Sequence, residues 1–352
     1  MYETVKVANA LKEMAKNLTG KLRIAKEGIN LTVAGTLENV EKFINNITDK
    51  FEFLKEFRLD SNVDSNELKL KRLNFFKNSP GCEHVFDNLS VKVCDEITPF
   101  NVSGKFEGEF LKVSPEEFHE LIETGLSEGN TVLLDTRNYY ESKLGYFKGA
   151  ITPPIRKFSS LPSYLKSNKE VFRNKKVLNY CTGGVRCAKA CSYIKEILPD
   201  SEIIMLDGGI HNYIEWINKE NEGKTEEDKK ELFFLGSNYV FDARVKISPN
   251  NHKIVAKCNF CMKNSENYIK CTGIGCHLMF ISCKESCYNK NKFCCEVCRD
   301  RDAQLKVVLN ALNSNIENTE ESPDSQNLEL KKIKKIQCNC EVERRKKLEE
   351  GI

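Results

Sequence analysis

The sequence lacks the features that mark a membrane or secreted protein. None of its 352 residues lies in a run that approaches the ~20 consecutive apolar residues of a membrane span. The N-terminus has neither the basic segment nor the apolar block of a signal peptide. Sixteen cysteines without a signal peptide predict a reducing, cytoplasmic compartment. We therefore expect these thiols to serve metal binding or catalysis rather than disulfides, and we expect no membrane partner.

Two further absences limit the classes of protein to which the chain could belong. The formal net charge of +3 is too small to indicate a nucleic-acid-binding protein by itself. No His-x-x-x-His pair, 2-His-1-carboxylate set or flavin glycine fingerprint is evident. The sequence therefore shows no cofactor motif of these three kinds.

The most informative stretch is 177–187, where an apolar run predicts a strand and the residues after it predict a turn and a helix. Cys181 ends the apolar run, and Arg186 stands at the head of the helix. Helix N–H groups and the charge of Arg186 favour a thiolate, and glycines in the turn let several N–H groups point at one spot. We predict that Cys181 is a nucleophile and that Arg186 stabilises its anion; a buried core cysteine beside an ordinary turn is the alternative. The predicted active-site loop between them consists of Thr182, Gly183, Gly184 and Val185.

Three neighbours of this loop are assigned supporting roles. Cys187, in the first turn of the predicted helix, is a candidate resolving thiol that would return an oxidised or persulfidated Cys181 through a disulfide. Packing under the loop is an equally weighted alternative for Cys187. Asp135 and Arg137 are expected to brace the loop through charge-assisted hydrogen bonds.

The first part of the chain, 1–95, alternates helical and strand patterns. The apolar spacing predicts helices at 2–18 and 36–47, the second capped by Thr36, and strands at 21–25, 31–34, 56–59 and 90–94. This alternation indicates a small ferredoxin-like (acylphosphatase-like) α+β domain. Almost no sequence precedes the first helix, so we expect the domain to be imperfectly closed.

A parallel α/β domain is predicted at 112–220, after a linker at 96–111. Strands alternate with helices near 131–135, 177–181 and 203–206. That order indicates a parallel sheet with helices on both faces. Cys181 then lies at the carboxyl end of a strand, where such sheets bind ligands. Apolar segments at 232–236 and 239–244 are expected to pack back onto this domain.

A cysteine-rich module is predicted at 231–300. Two Cys-x-x-Cys pairs have the spacing that grips one tetrahedral zinc ion, and two looser pairs lie between them. The predicted ligands of two interleaved Cys₄ zinc sites are Cys258, Cys261, Cys271, Cys276, Cys283, Cys287, Cys295 and Cys298, with Cys294 left over. An iron–sulfur cluster is the alternative, and either metal would help to fold a segment too short for its own core. Beyond it, 301–352 is predicted to be a charged, partly disordered tail with solvated basic runs at 331–335 and 344–347.

Three ordered motifs resemble the rhodanese family. The loop from Cys181 has the family's Cys-x-x-Gly-x-Arg form, and its six-residue length is that of the sulfur-handling members. The stretch 131–141, followed by 145–150, resembles the motif upstream of the cysteine, and 206–210 with Trp216 resembles the closing strand and glycine pair. The resemblance covers the predicted parallel-sheet domain and implies a rhodanese fold there.

The order of all segments resembles the oxygen-dependent tRNA uridine hydroxylases and their eukaryotic thiosulfate sulfurtransferase/rhodanese-like relatives. It rests on the stretch 27–35, the rhodanese-type loop, the stretch 240–244 and the cysteine cluster. The resemblance implies a tRNA-modifying oxidoreductase that converts the wobble uridine to 5-hydroxyuridine, with molecular oxygen as co-substrate and Cys181 as the essential residue. It also implies tRNA as the partner, with Glu27 and Asn30 as candidate tRNA contacts; no DNA partner is expected.

Two other functions stay open at this point. One is a thiosulfate or persulfide sulfurtransferase, in which Cys181 attacks the outer sulfur of a small donor and carries the persulfide. The other is a non-catalytic, zinc-dependent RNA- or protein-binding module that retains the loop. The presence of both Cys181 and Arg186 argues against the second.

Overall fold

A computed structural model of the chain describes residues 2–59, 65–102, 108–273, 276, 278–284, 286–288, 292–316 and 346. The chain forms two compact units, Met1–Pro99 with Phe241–Val245, and Phe100–Val240 with Lys246–Ile352. Among the described residues, no helix combines the length and the apolar character that crossing a membrane requires. The predicted combination of α+β and parallel α/β folds is confirmed by the elements of the two units.

The first unit is a small α+β domain. Its elements are α1 (Tyr2–Met14), β1 (Thr19–Ala25), β2 (Gly28–Ala34), α2 (Leu37–Lys50), α3 (Ser65–Phe76) and β3 (Leu89–Val93), with 3-10 helices at Glu52–Phe57 and Glu83–Val85. The sheet has the order β2-β1-β3, in which β1 pairs antiparallel with β2 and parallel with β3. Thr36 Oγ1 accepts the N–H of Asn39 at 3.3 Å, so α2 begins where its cap predicts.

The prediction of a strand around 56–59 is wrong. Residues Glu52–Phe57 form a 3-10 helix instead. Leu54 and Phe57 are both buried in it, and their three-residue separation matches the period of a 3-10 turn rather than the two-residue period of a strand.

A late segment of the chain, Phe241–Val245, belongs to the first unit. The carbonyl oxygen of Phe241 accepts a hydrogen bond from Lys21 Nζ at 2.6 Å. The N–H of Ala243 donates to the carbonyl oxygen of Val85 at 2.9 Å. The expected packing of 239–244 onto the parallel α/β domain is therefore wrong for this segment.

The second unit is built around a parallel sheet. Its elements up to residue 220 are β4 (Leu111–Val113), α4 (Pro115–Glu128), β5 (Thr131–Asp135), α5 (Tyr139–Ser142), β6 (Gly145–Phe147), α6 (Leu161–Ser167), α7 (Lys169–Phe172), β7 (Lys176–Tyr180), α8 (Val185–Ile197), β8 (Glu202–Leu206) and α9 (Gly209–Glu220), with a 3-10 helix at Phe158–Ser160. Four strands run parallel in the order β4-β8-β7-β5. This sheet is the one that the alternating pattern predicts.

Successive residues of the central strand β7 face two separate cores. Val177 belongs to one core and Leu178 to the other, and both are fully buried. Burial on both faces explains why apolar residues stand at consecutive positions in this strand. Phe100 is fully buried in the first of these cores, so the predicted linker at 96–111 contributes a core residue.

The remainder of the second unit contains the cysteine-rich part of the chain. Its elements are β9 (Phe234–Gly236), β10 (Asn238–Tyr239), β11 (Lys246–Ile247), β12 (Tyr268–Lys270), β13 (Met279–Ile281) and α10 (Glu296–Ile316). Strand β9 pairs antiparallel with β6, so 232–236 does pack onto the parallel α/β domain. Helix α10 runs past residue 300, so the first part of the predicted tail is helical. The basic runs of the tail, 331–335 and 344–347, lie outside the described residues, apart from Lys346.

Candidate active site and cysteine groups

The predicted nucleophile lies in the turn between β7 and α8. Strand β7 ends at Tyr180 and α8 begins at Val185, so Cys181 is the first residue of the turn. Gly184 has a left-handed backbone with φ of 90°, and its N–H donates to Cys181 Sγ at 3.1 Å. Because a side chain disfavours that φ, glycine lets the backbone turn its amide toward the sulfur.

Cys181 ionises readily although it is buried. Burial by itself raises the pKa of this thiol, but a hydrogen bond from the Cys187 thiol, the positive charge of Arg186 and the N–H groups of Cys187 and Gly183 outweigh it. Together they lower the pKa of Cys181 to about 6. The thiolate, which is the nucleophilic form, therefore predominates at neutral pH.

Arg186 is held by a carboxylate that sequence reasoning missed. Its guanidinium donates to the two oxygens of Glu141 at 2.7 and 2.8 Å and to Thr182 Oγ1 at 3.0 Å. The Thr182 hydroxyl donates to Glu141 at 3.0 Å, and the Glu141 side chain is fully buried. One sequence signal could have drawn attention to Glu141. It stands three residues after Asn138, the spacing of a capping box, and the two residues do form a capping box at the start of α5.

Cys187 and Cys191 lie on the buried face of α8, and both are fully buried. Burial and the neighbouring Cys181 raise the pKa of Cys187 well above its ordinary value. Cys187 therefore stays protonated and donates a hydrogen bond to the Cys181 thiolate. Cys191 instead accepts a hydrogen bond from Asn179 Nδ2 at 3.1 Å. Of these two thiols, Cys187 is the one placed to act on Cys181.

Asp135 and Arg137 form a fully buried ion pair with a separation of 2.6 Å. The Ser142 hydroxyl donates to Asp135 at 2.8 Å, and Arg137 donates to the carbonyl oxygen of Gly145 at 2.6 Å. These bonds hold the segment around α5, which carries Glu141. The pair therefore belongs to the hydrogen-bond network around Glu141, the carboxylate that binds Arg186, and its role in bracing the active-site loop stays a prediction.

The first turn of α9 binds the backbone of the active-site loop. The N–H of Ile210 donates to the carbonyl oxygen of Cys181 at 2.9 Å, and that of His211 to the carbonyl oxygen of Thr182 at 3.1 Å. Gly209 has φ of 66°, and a Cβ built there would come within 2.4 Å of the Cys181 carbonyl oxygen. Glycine is required at this position by the close approach of two backbones.

The sulfur is covered, while part of the loop is open. Cys181 is 1% exposed, whereas Val185 is 41% exposed and Gly183 is also exposed. A substrate that reaches the loop from solvent therefore meets Gly183 and Val185 first and has to displace the atoms that cover Cys181.

The candidate tRNA contacts lie in the first unit. Glu27 is exposed in the turn between β1 and β2, and its carboxylate accepts the N–H of Ile97 at 2.6 Å. Asn30 is half-buried in β2, opposite Arg23 of β1. Glu27 thus has a structural role in the first unit, and contact of either residue with tRNA stays a prediction.

Eight cysteines of the second unit form two sets of four. The first cysteine group is Cys258, Cys261, Cys283 and Cys287, and the second cysteine group is Cys271, Cys276, Cys294 and Cys298. All sulfurs of a group lie within 4.8 Å of one another. The two groups interleave along the chain, and no disulfide bond joins the described cysteines. Each group could hold a metal ion.

The second cysteine group differs from the prediction by one residue. Cys295 is not in it, and Cys294, which was expected to be left over, takes its place. Cys294 Sγ lies 3.5 Å from the sulfur of Cys298 and 3.7 Å from that of Cys276. Cys294 stands two residues before α10 and Cys298 lies in its first turn. The N–H of Cys294 donates to the sulfur of Cys271 at 3.3 Å, whereas Cys295 is only partly buried.

The sulfur spacings fit a single tetrahedral ion. In the first cysteine group the sulfurs of Cys261 and Cys283 are 3.6 Å apart, close to the spacings in the second group. Four thiolates at ~2.3 Å from a zinc ion would stand roughly 3.8 Å from one another. An iron–sulfur cluster of several irons and sulfides would hold its thiolates further apart. The two cysteine groups therefore fit a single metal ion each better than the iron–sulfur alternative.

Three family models match successive parts of the chain. Residues 2–97 match the UPF0176 acylphosphatase like domain, 114–215 match the Rhodanese-like domain, and 235–299 match the model described as Rhodanase C-terminal. The loop with Cys181 lies in the second match, and both cysteine groups lie in the third.

Curated relatives resemble the chain over most of its length. A tRNA uridine(34) hydroxylase of Bacillus pumilus (strain SAFR-032) is 34% identical over 301 residues, which cover 84% of this chain and 83% of that protein. A protein of the same name from Bacillus mycoides (strain KBAB4) is 32% identical over 299 residues, 84% of each chain. Among solved structures, a rhodanese-related protein from Thermoplasma volcanium is 23% identical and aligns with a TM-score of 0.24 over 30% of this chain and 93% of that one.

Proposed function

Since the chain belongs to the family of the tRNA uridine(34) hydroxylases, we propose that it hydroxylates the wobble uridine of tRNA to 5-hydroxyuridine, with Cys181 as the reacting thiol. The observation that carries the proposal is the environment of that thiol. Arg186 and the N–H groups of Gly183 and Gly184 stabilise the Cys181 anion, so a nucleophile is available at neutral pH.

The thiolate can activate the uracil ring by addition. Cys181 Sγ bonds to C6, and the electron pair of the C5–C6 double bond moves to C5, which then bonds to molecular oxygen. Uptake of one proton gives a C5 hydroperoxide. An external two-electron donor such as a dithiol, with two protons, converts it to a C5 hydroxyl and water. Loss of the C5 proton expels the thiolate and restores the double bond, so that uridine, O₂, two electrons and two protons give 5-hydroxyuridine and water.

Cys187 supports the same chemistry as a resolving thiol in this proposal. When Cys181 is oxidised to a sulfenic acid, attack by the Cys187 sulfur releases water and forms a disulfide. A dithiol reductant then returns both residues to thiols. The direct hydrogen bond between the two side chains supports this role.

Each cysteine group holds one zinc ion in this proposal. The sulfur spacings support one ion per group. The reducing, cytoplasmic compartment that the chain's cysteine content predicts would keep these thiols available as ligands. Zinc does not change its oxidation state at such sites, so its contribution here is to fold the module.

The turn between β1 and β2 is proposed to contact the tRNA. Glu27 is exposed there, and a carboxylate accepts hydrogen bonds from base amino groups or ribose hydroxyls rather than from phosphate. Asn30 can both donate and accept.

Nucleoside mass spectrometry of tRNA tests the hydroxylase proposal. Cells that lack the gene are complemented with the wild type, Cys181→Ser or Cys191→Ser. We expect 5-hydroxyuridine derivatives with the wild type and a loss of about two orders of magnitude or more with Cys181→Ser, because the nucleophile is gone. Cys191→Ser, which alters another buried thiol of α8, should behave as the wild type.

Unchanged 5-hydroxyuridine derivatives in cells lacking the gene would reject the hydroxylase. If purified protein then transferred sulfur from thiosulfate to cyanide, and Cys181→Ser did not, the sulfurtransferase alternative would replace it.

A further inference from the structure

The second cysteine group lies against the helical turn that holds Glu141. The ring of Tyr139, the first residue of α5, packs against the buried cluster that the second cysteine group forms. Arg156 donates a hydrogen bond to the carbonyl oxygen of Cys276, a member of that group, at 3.3 Å. The Tyr268 hydroxyl, three residues before Cys271, donates to the carbonyl oxygen of Tyr140 at 2.6 Å.

The Tyr268 hydroxyl is fixed in place by its surroundings. Its side chain is 8% exposed. Its ring lies 5.8 Å from that of Tyr239, which in turn lies 5.6 Å from the ring of Tyr140, both at steep interplanar angles. A ring packed in this way has little freedom, so its hydroxyl is a fixed donor for α5.

The residue after Tyr140 is Glu141, and its carboxylate is the anchor of the active-site loop. It accepts hydrogen bonds from the Asn138 N–H, from Thr182 and from both terminal nitrogens of Arg186. Helix α5 has only four residues, so a shift of the Tyr140 carbonyl carries the Glu141 backbone with it. A displaced Glu141 would move Arg186, to which it is hydrogen-bonded, and so change the distance from the guanidinium to the sulfur of Cys181.

We propose that Tyr268 is a positioning residue for Cys181: it transmits the placement of the second cysteine group to Glu141, and through Arg186 to the reacting thiol. Metal in the second cysteine group thereby sets the reactivity of a sulfur that it does not touch. Three members of the first cysteine group, Cys258, Cys283 and Cys287, form a separate buried cluster. The proposal rests on the proposed role of Cys181 as the reactive thiol, and it does not depend on the identity of the substrate.

The test is the pH–rate profile of Cys181 alkylation in the full-length, zinc-loaded chain. Iodoacetamide is the reagent, and the modified peptide is quantified by mass spectrometry. Trypsin cleaves after Lys176 and Arg186, so Cys181 and Cys187 fall in different peptides. The wild type is compared with Tyr268→Phe, which removes one hydroxyl, and with Tyr288→Phe, which removes the hydroxyl of a tyrosine 42% exposed in the same part of the chain.

We expect the midpoint of the Tyr268→Phe profile to move up by about half a pH unit, a roughly threefold lower rate below the midpoint, at unchanged zinc content. The reason is that a loosened Glu141 no longer holds Arg186 close to the thiolate. Tyr288→Phe should superimpose on the wild type. A Tyr268→Phe profile that superimposes on the wild type would overturn the proposal, as would an equal shift in Tyr288→Phe.

Removal of the metal from the second cysteine group, by Cys294→Ser, should shift the midpoint in the same direction. Tyr268→Phe keeps all the ligands, so it decides the question even if Cys294→Ser unfolds the module. The profile needs no tRNA, and failure of the hydroxylase proposal would show instead as unchanged tRNA nucleosides.

Discussion

At the scale of single residues, the active site shows that burial does not by itself decide whether a thiol ionises. Cys181 and Cys187 are both buried, and burial raises the pKa of each. Cys181 receives hydrogen bonds and faces Arg186, so its pKa falls to about 6, whereas Cys187 faces the resulting anion and its pKa rises. The thiolate of Cys181 is stabilised because the Cys187 thiol keeps its proton and donates a hydrogen bond to it.

The donor role of Cys187 gives a prediction with a matched pair of variants. In the wild type, alkylation of Cys181 should rise with pH through a midpoint of about 6, since only the thiolate reacts. Cys187→Ala removes the donor and should raise the midpoint by about one pH unit. Cys187→Ser keeps an O–H donor and should retain most of the lowered midpoint. Equal midpoints in the two variants would show that the hydrogen bond does not matter.

At the scale of elements, two strand-to-helix turns build the site together. The turn after β7 supplies Cys181 and Thr182, and the start of α9, after β8, supplies the N–H groups of Ile210 and His211 that bind their carbonyl oxygens. Both strands are in the same parallel sheet and are neighbours in it, so their carboxyl ends meet. Gly209, the first residue of α9, comes close to the Cys181 turn.

Replacement of Gly209 tests this contact, and Gly223 offers a control with a similar backbone. Gly209→Ala would place a Cβ within 2.4 Å of a backbone oxygen at φ of 66°, whereas Gly223→Ala at φ of 71° would meet nothing within 4 Å. We expect Gly223→Ala to lower the free energy of unfolding by about 1 kcal/mol, from backbone strain alone. Gly209→Ala should cost about 3 kcal/mol, because backbone atoms must also move.

Urea unfolding followed by tryptophan fluorescence measures both changes. Trp216, in α9, is the single tryptophan of the chain and reports on the parallel α/β domain. Equal losses in the two variants would contradict the importance of the close approach.

At the scale of the whole molecule, the two units obtain their stability in different ways. The described residues of the first unit enclose an apolar core, and the parallel sheet of the second has a core on each face. The cysteine-rich part has short strands, and cysteines make up much of its buried surface. With the proposed zinc ions bound, the two interleaved groups would take the place of a larger core there.

Metal content tests the corrected ligand set. The purified, dialysed wild type should contain two zinc ions per chain by elemental analysis, and Cys294→Ser should lose about one of them, because one ligand of the second cysteine group is missing. Cys295→Ser should keep both, since that sulfur is outside the group. Loss of a zinc ion in Cys295→Ser but not in Cys294→Ser would contradict the corrected set. It would restore Cys295 as the ligand, as the Cys-x-x-Cys spacing predicts.

The sequence by itself determined the features that depend on neighbouring residues. The cap at Thr36, the apolar run of β7 and the glycine turn at Cys181 are local patterns, and each lies where the sequence places it. The segment around 56–59 shows the limit, because a short apolar run fits a strand and a 3-10 helix alike until burial selects one.

Only the tertiary structure decided which distant groups meet. Glu141 reaches Arg186 across 45 residues of sequence, and no local pattern encodes that pairing. Cys294 rather than Cys295 completes the second cysteine group, because the direction of each side chain in the segment before α10 depends on how the chain returns to Cys271 and Cys276. Such contacts follow from the path of the whole chain, which spacing along the sequence does not specify.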